Sequence, residues 1–250
     1  MSKGRAALAI SQGMSVWVLE ARDGFGDADF HAHHAIQITA LLAGNLRLVG
    51  DKETVSGQVL AVKAGERHRL EADGMLAFVF IEPECRQGKA LTHLLFKGAE
   101  IVSLDPEIAA MLLPLANAFD GGPDRMEMLE IGRRAIELLE PEVKVHETDP
   151  RVRRIIDYVV ANLDGPLSLK DASLGIYLSP SRLRHLFVEQ TGLPFKTYLL
   201  WLRLVRALEI YSEGNSLTEA AHLAGFSDSA HLSRIFRRTF GLPATTLTRL

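Results

Sequence analysis

Residues 30–44 read FHAHHAIQITALLAG and place three histidines within four positions. In an extended strand side chains alternate, so His31, His33 and Gln37 share one side while His34 points away. Imidazoles gathered in this way can ligate a transition metal or line a polar pocket for an organic effector. A second chemistry-bearing set is basic. Arg182, Arg184 and His185 fall together, as do Arg234, Arg237 and Arg238. An arginine can bond a guanine through O6 and N7, or grip a phosphate.

The basic set sits in a repeat. A shift of 49 positions lays Ala172 on Ala221, Leu174 on Leu223, Leu183 on Leu232 and Phe187 on Phe236. It also lays Gly192, Leu193 and Pro194 on Gly241, Leu242 and Pro243. Each copy spells a short helix, a tight turn and a second amphipathic helix ending at glycine. Ser179 with Pro180 opens the second helix of the first copy, and Asp228 caps that of the second. Leu183, Leu186 and Phe187 face inward, as do Leu232, Ile235 and Phe236. The outer faces then carry Ser181, Arg184, His185 and Val188 in one copy. In the other they carry Ala230, His231, Ser233, Arg234 and Arg237. Arg184, His185 and Arg234 are placed to reach base edges, whereas Arg182, Arg237 and Arg238 lie nearer the flank and suit phosphate. Between the copies a helix from Phe195 to Ser212 spans about 27 Å, burying Tyr198, Leu202, Val205 and Leu208 and leaving Arg203 and Arg206 to solvent or phosphate.

The rest of the chain divides by pattern. Residues 1–98 read as β-rich, with runs at Ser15–Leu19, Ala35–Leu42, Leu46–Val49, Val59–Val62, Leu76–Ile81 and Thr92–Phe96 between Gly, Asp and Asn clusters. That rhythm predicts an antiparallel barrel or sandwich. Asp105-Pro106 opens a helix to about Phe119, and a second runs from about Arg125 to Glu140 with a stripe of Met128, Ile131, Ala135, Leu138 and Leu139. Pro141 ends it, and the charged stretch to Pro150 reads as a linker. A helix Val152–Leu163 then stops at Asp164-Gly165-Pro166. The stripes at 105–140, including Ile108, Met111, Leu112 and Leu115, suit a dimer interface or packing on the same chain's strands.

Composition agrees with two soluble domains. The 250 residues are 47% hydrophobic with mean hydropathy +0.08. No apolar run has the length of a membrane span, and the stretch after Lys3 and Arg5 stops too soon for a signal peptide. A lone Cys85 excludes an internal disulfide and fits a reducing cytoplasm, as inert packing or a redox sensor. The net charge of −3 hides an asymmetry: residues 151–250 hold 13 basic and 8 acidic side chains, a net of +5, leaving 28 − 13 = 15 against 31 − 8 = 23 elsewhere, a net of −8. A basic part beside an acidic part suits a DNA-binding domain joined to a sensor.

Residues 151–250 resemble the DNA-binding domain of AraC/XylS-type transcription regulators. The resemblance is carried by Ser179-Pro180-Ser181-Arg182-Leu183, Phe187, Gly192 and Tyr198, then by Ala221, Gly225-Phe226-Ser227-Asp228, His231 to Arg234, Phe236, Phe240 and Gly241. It implies two recognition helices in successive major grooves, with base-reading positions at Ser181, Arg184 and His185 and at Ser229, Ala230, His231 and Arg234. Departures are Tyr177 where the first turn usually has glycine, Ser173 where alanine is usual, Pro243 one residue early, and Leu247 in place of an aromatic.

Gly57 to His68 reads G-x5-K-x-G-x2-H and, with the segment at 31–37, resembles the two half-motifs of the cupin barrel. Residue by residue, His31 and His33 match the first two metal ligands, His68 the third, Gln37 replaces the glutamate and Lys63 the proline. Three histidines would suffice for zinc, iron or nickel. Sensor domains of AraC-type regulators commonly use such barrels without metal, so an organic effector pocket at His31, His33, Gln37 and His68 stands beside the metal site.

The expected molecule is a cytoplasmic, ligand-responsive transcription regulator and not an enzyme. Residues 1–147 form a cupin-like effector domain with a helical hairpin, and residues 148–250 an all-α DNA-binding domain with two helix-turn-helix units joined by a long helix. Double-stranded promoter DNA, a small-molecule effector and RNA polymerase are its expected partners. It would form a homodimer through the N-terminal domain and have no membrane association. The rival is a metal-dependent cupin enzyme with an accessory DNA-binding domain.

Overall fold

The computed structural model describes residues 5–21, 28–139, 147–244 and 248–249. Pro141, Leu247 and most of the expected linker lie outside them. The chain forms two compact units, residues 1–144 with 233–250, and residues 145–232.

The first unit is built on an antiparallel sheet. Its strands are β1 (Arg5–Ser11), β2 (Met14–Ala21), β3 (Ile36–Gly50), β4 (Thr54–Ser56), β5 (Val59–Val62), β6 (His68–Ile81), β7 (Ile101–Ser103) and the short β8 (Thr248–Arg249). The order is β7-β5-β3-β6-β2-β1-β8, with β4 on β3, and only β1–β8 is parallel. The expected closed barrel is corrected here: the described strands make an open sheet whose edges are the three residues of β7 and the two of β8. A barrel closes only where its edges pair.

The sheet nevertheless curls tightly. Gly50 pairs with His68 at one end of β6, and Ile36 pairs with Ile81 at the other. Thirteen steps (81 − 68) of straight strand would span about 43 Å. Yet His31 bridges to His68, and His31 and Ile36 are only five residues apart, at most about 18 Å of chain. The strand must therefore fold back on itself. The bend lies where Gly44 faces Gly74 beside a register shift at Leu41/Ala43. Both glycines have positive φ (101° and 89°), and a Cβ on Gly74 would sit 2.2 Å from the Ala43 carbonyl oxygen.

Alternation fixes what each face of the sheet meets. Val16, Val18, Ile36, Ile38, Ala40, Val79 and Ile81 form one core with the helices α1 (Arg86–Leu95), α2 (Glu107–Ala118) and α3 (Arg125–Glu137). Ile108, Leu112, Leu115, Phe119, Met128, Ala135 and Ile136 join it, so the helical stripes pack on their own sheet. Leu138, expected in that stripe, is exposed, and Ile136 takes the buried place. The opposite face carries Trp17, Gln37, Phe78, Phe80 and Leu70. With both faces covered, several strands read as continuous apolar runs.

Other expectations change too. Thr92–Phe96 is the end of α1 and its flank, not a strand; Cys85 Sγ caps this helix by accepting from Gly88 N at 3.3 Å, and Ala90 and Leu91 are buried. A five-residue apolar run does not by itself separate helix from strand. Burial pushes the Cys85 thiol up to about 11, so its thiolate is scarce and the packing reading wins over the redox one. The apolar stretch after Arg5 is β1, and Leu46–Val49 continues β3.

The second unit is helical: α4 (Pro150–Ala161), α5 (Leu169–Ala172), α6 (Pro180–Thr191), α7 (Phe195–Ser212) and α8 (Leu217–Leu223), followed by the first residues of α9 (Ser229–Phe240). Asp149, Ser168, Ser179 and Ser216 cap the first three helices and α8, and Ser216 with Glu219 forms a capping box. Phe187 meets Phe195 and Tyr198 edge-on at 5.5 and 5.4 Å, tying α6 to α7.

Gly74→Ala should cost about 1–3 kcal/mol from the backbone strain alone, plus the clash with Ala43. Urea unfolding read by tryptophan fluorescence checks this. An unchanged midpoint would mean that β6 does not bend at this residue.

Candidate nucleic-acid interface and histidine cluster

The two candidate reading helices are set by their caps. Ser179 Oγ accepts from Arg182 N at 3.3 Å, Pro180 fills the first helical turn, and Gly192 ends α6 at φ 77°. Leu183 and Phe187 are buried, and Ser181, Arg182, Arg184 and His185 are all exposed. In α9, Asp228 Oδ1 accepts from His231 N at 2.6 Å, Leu232 and Phe236 are buried, and Ala230, Arg234, Arg237 and Arg238 are exposed. Ser229, His231 and Ser233 are half-buried. The His231 ring packs edge-on against Phe226 at 5.3 Å, with Nδ1 3.2 Å from Ser227 Oγ, so it also holds the turn before α9.

Three basic residues depart from the simple picture of helix faces. Arg203 is half-buried and engaged by the backbone: its Nε donates to Leu163 O at 3.1 Å and Nη2 to Gly165 O at 2.7 Å, tying α7 to the turn after α4. Arg206 is exposed and paired with Glu209 at 2.5 Å. Arg237 donates through Nε to Asp29 Oδ2 at 2.7 Å. Asp29 carries no periodic signal and was not singled out by its sequence context.

The departure at Tyr177 also resolves. The positive-φ glycine of the first turn is Gly175 and that of the second is Gly225, which are 225 − 175 = 50 positions apart rather than 49. The one-residue offset leaves Ile176 half-buried and Tyr177 99% exposed, while Phe226 is buried.

In the first unit the structure brings His31, His33, His68 and Gln37 together, all buried. Ring centroids lie 4.3 Å apart for His31–His68, 5.1 Å for His33–His68 and 5.8 Å for His31–His33. The backbone holds them there: His31 and His68 exchange two N–H···O bonds of 2.9 Å, and Gly65 N donates to His33 O at 2.9 Å. Nδ1 of each ring lies on a carbonyl oxygen, Asp29 at 2.9 Å, Ala35 at 2.8 Å and Glu66 at 2.9 Å. A carbonyl only accepts, so each Nδ1 carries the proton and each Nε2 the lone pair. His33 Nε2 lies 2.9 Å from Gln37 Oε1, an amide that a half-turn would present by its NH2 instead, and Gln37 also meets the Thr39 hydroxyl at 2.8 Å. His34 points away, as expected, although residues 32–35 form a bend before β3 and not a strand, and it bonds Glu84 Oε2 at 2.8 Å.

Trp17, Phe80, Phe240 and Leu242 close over the cluster, with Phe240 4.8 Å from Trp17 and 5.7 Å from Phe80. The free volume left there is about 20 Å³. That holds roughly one water-sized body. Burial is the main cause that holds all three imidazoles below their ordinary value, and His33 is pushed down to about 4.

Comparison with known proteins places the C-terminal part. Residues 175–249 match the family model described as a helix-turn-helix domain. The HTH-type transcriptional regulator GbdR of Pseudomonas aeruginosa is 30% identical over 95 residues, which is 38% of this chain and 26% of that protein. The HTH-type transcriptional activator RhaS of Escherichia fergusonii is 32% identical over 117 residues, 46% of this chain and 41% of that one. The chain thus spans less than half the length of either relative. The crystal structure of ToxT from Vibrio cholerae aligns over 98% of both chains with a TM-score of 0.58 at 12% identity. That likeness speaks for the fold: an N-terminal antiparallel sheet domain followed by a helical helix-turn-helix domain. No helix among the described residues is long and apolar enough to cross a membrane.

The lowered histidines set a pH dependence. Unfolded histidines titrate near 6.5, so between that pH and about 4 the unfolded chain binds protons that folded His33 refuses. Stability is therefore lost as pH falls through this window, on the order of 2 kcal/mol at pH 5 from His33 alone. Urea titrations of chelator-treated protein at pH 7 and pH 5 measure it, and His33→Gln should flatten the slope.

Proposed function

We propose that this chain, whose residues 175–249 carry the helix-turn-helix domain of an AraC-type regulator, is a ligand-responsive transcription regulator acting on double-stranded promoter DNA. The observation that carries the reading is the pair of capped helices, α6 and α9, with exposed basic side chains in a segment that matches regulators. Residues 148–250 serve as the DNA-binding domain. In it Ser181, Arg184 and His185 read one half-site, and Ser229, Ala230, His231, Ser233 and Arg234 the other. Arg182, Arg237 and Arg238 hold phosphate, Arg237 by exchanging Asp29 for the DNA backbone.

Residues 1–147 serve as the sensor, cupin-like in where the histidines stand rather than in closure of the sheet. An organic effector entering beside His31, Gln37 and the aromatic residues must displace Phe240 and Leu242, because about 20 Å³ is free. Those residues end α9 and follow it in the chain, so effector binding and the setting of the second reader are linked by differential affinity. A cytoplasmic setting, contact with RNA polymerase and a homodimer through the N-terminal domain belong to the same reading. For the dimer, the outer faces of α2 and α3 offer exposed Leu113 and Met126. The rival reading, a metal-dependent enzyme, needs room for a substrate beside an open coordination position. The helix-turn-helix match over residues 175–249 favours the regulator.

DNA selected by the protein from a random-sequence library provides the test. Arg184→Ala and Arg234→Ala should each cost about 1–3 kcal/mol, roughly 5- to 150-fold, and relax the preference at one base pair. Arg238→Ala should weaken all sequences alike and lower the salt slope by about one. Specific binding left intact in both Arg184→Ala and Arg234→Ala would overturn the assignment of the readers. Asp29→Ala should tighten binding by up to about fivefold, the worth of one half-exposed ion pair.

A further inference from the structure

We propose that the cleft between the basic face of α9 and residues 29–30 is a binding site for a small organic phosphate monoester, separate from the histidine pocket. The site stands on side chains of the first unit alone. That its ligand shuts out DNA rests on the DNA reading.

The cleft holds about 560 Å³, within the ~300–1,000 Å³ of ordinary small-molecule sites. Arg234, Arg237 and Arg238 line it together with Asp29, and Phe30 and Pro243 give it an apolar wall. Backbone contacts set that wall in place. Asp29 N donates to Gly241 O at 2.9 Å, and a Cβ on Gly241 would lie 2.5 Å from Asp29 O, so glycine is what lets the two segments close. The guanidinium groups of Arg67 and Arg69 stand 4.4 and 5.0 Å from the centroid of the Phe30 ring and hold it there.

Charge selects an anion. Three guanidinium groups and one carboxylate line the cleft, a net of 3 − 1 = +2. Asp29 already seats a carboxylate oxygen 2.7 Å from Arg237 Nε, which shows the chemistry this wall accepts. Among the described residues no ion pair engages Arg234 or Arg238, and both are exposed. A phosphate monoester carries about −1.5 to −2 at pH 7 and three acceptor oxygens, enough to meet forks from separate arginines. A single carboxylate has half that charge. Inorganic phosphate would leave Phe30 and Pro243 uncovered, so the ligand has an organic body. Position then couples the site to DNA: Arg234, Arg237 and Arg238 are the same groups that the second reader uses, and ligand and DNA compete for them.

Calorimetric titration of the full-length protein with phenyl phosphate at pH 7, without DNA, tests the site. One phenyl phosphate should bind per chain, about tenfold tighter than inorganic phosphate or benzoate. Arg234→Ala and Arg238→Ala should each weaken it about tenfold, while Arg153→Ala, at an exposed position of α4, should change nothing. Asp29→Ala removes the competing carboxylate and should tighten binding by up to about fivefold, a gain that damage to the fold would not produce. With library-selected DNA present, phenyl phosphate should raise the apparent Kd for DNA in step with its own occupancy. No saturable binding, inorganic phosphate bound as tightly (an adventitious ion only), or benzoate bound as tightly would each overturn the site. DNA that stays bound at saturating phenyl phosphate would overturn the competition. A protein that selects no DNA would sink the DNA reading instead, and the calorimetry would still decide the site.

Discussion

The reversal of β6 at Gly74 is the constraint on which the first unit depends. Two strands that stayed straight would hold His68 tens of ångströms from the chain entering β3. Because Gly44 and Gly74 face each other with left-handed backbones and no side chains, the β3–β6 ladder doubles over. His68 is thereby returned to the segment that carries His31 and His33. The aromatic residues Trp17, Phe78 and Phe80 then find themselves on the concave side, around the imidazoles. The convex side meets α2 and α3. One bend thus separates a conventional aliphatic core from a chemically specialised interior, even though the sheet never closes.

What could be read in the sequence follows how local each cause is. Caps act within three or four residues, so Ser179, Pro180, Gly192 and Asp228 gave the bounds of α6 and α9 directly. The span of α7, Phe195–Ser212, was legible because prolines and glycines punctuate it. The sorting of His31, His33 and Gln37 from His34 is kept as well, although a bend at His34 and Ala35, and not a strand, produces it. The sheet bend was not legible, since it needs two glycines thirty positions apart (74 − 44) to meet. Nor was Asp29, whose partner Arg237 is remote in the chain. Arg203 misled for a related reason: helical periodicity places it outward, but carbonyls of the turn after α4 capture it.

The two repeats illustrate how a shared pattern diverges under packing. Both use a glycine to turn between helices, yet its one-residue displacement decides which neighbour is buried. Phe226 enters the second copy's core and steadies His231, whereas Tyr177 in the first copy stands in water and Ile176 takes up the inward role in part. A residue-by-residue alignment at constant offset pairs Tyr177 with Phe226 and so hides the exchange. The supporting helices diverge as well: α8 has a capping box and two buried alanines, α5 a single turn and one.

That brevity of α5 bears on the order in which the chain opens. A four-residue turn is below the length at which helical structure sustains itself, so it exists only while Ala172 stays docked. Its amides have one turn of bonding to protect them and should exchange with deuterated solvent ahead of those in α6, α7 and α8. The first copy is then the earliest to fray. In refolding its turn is the part that must await a surface already assembled by α4, α6 and α7.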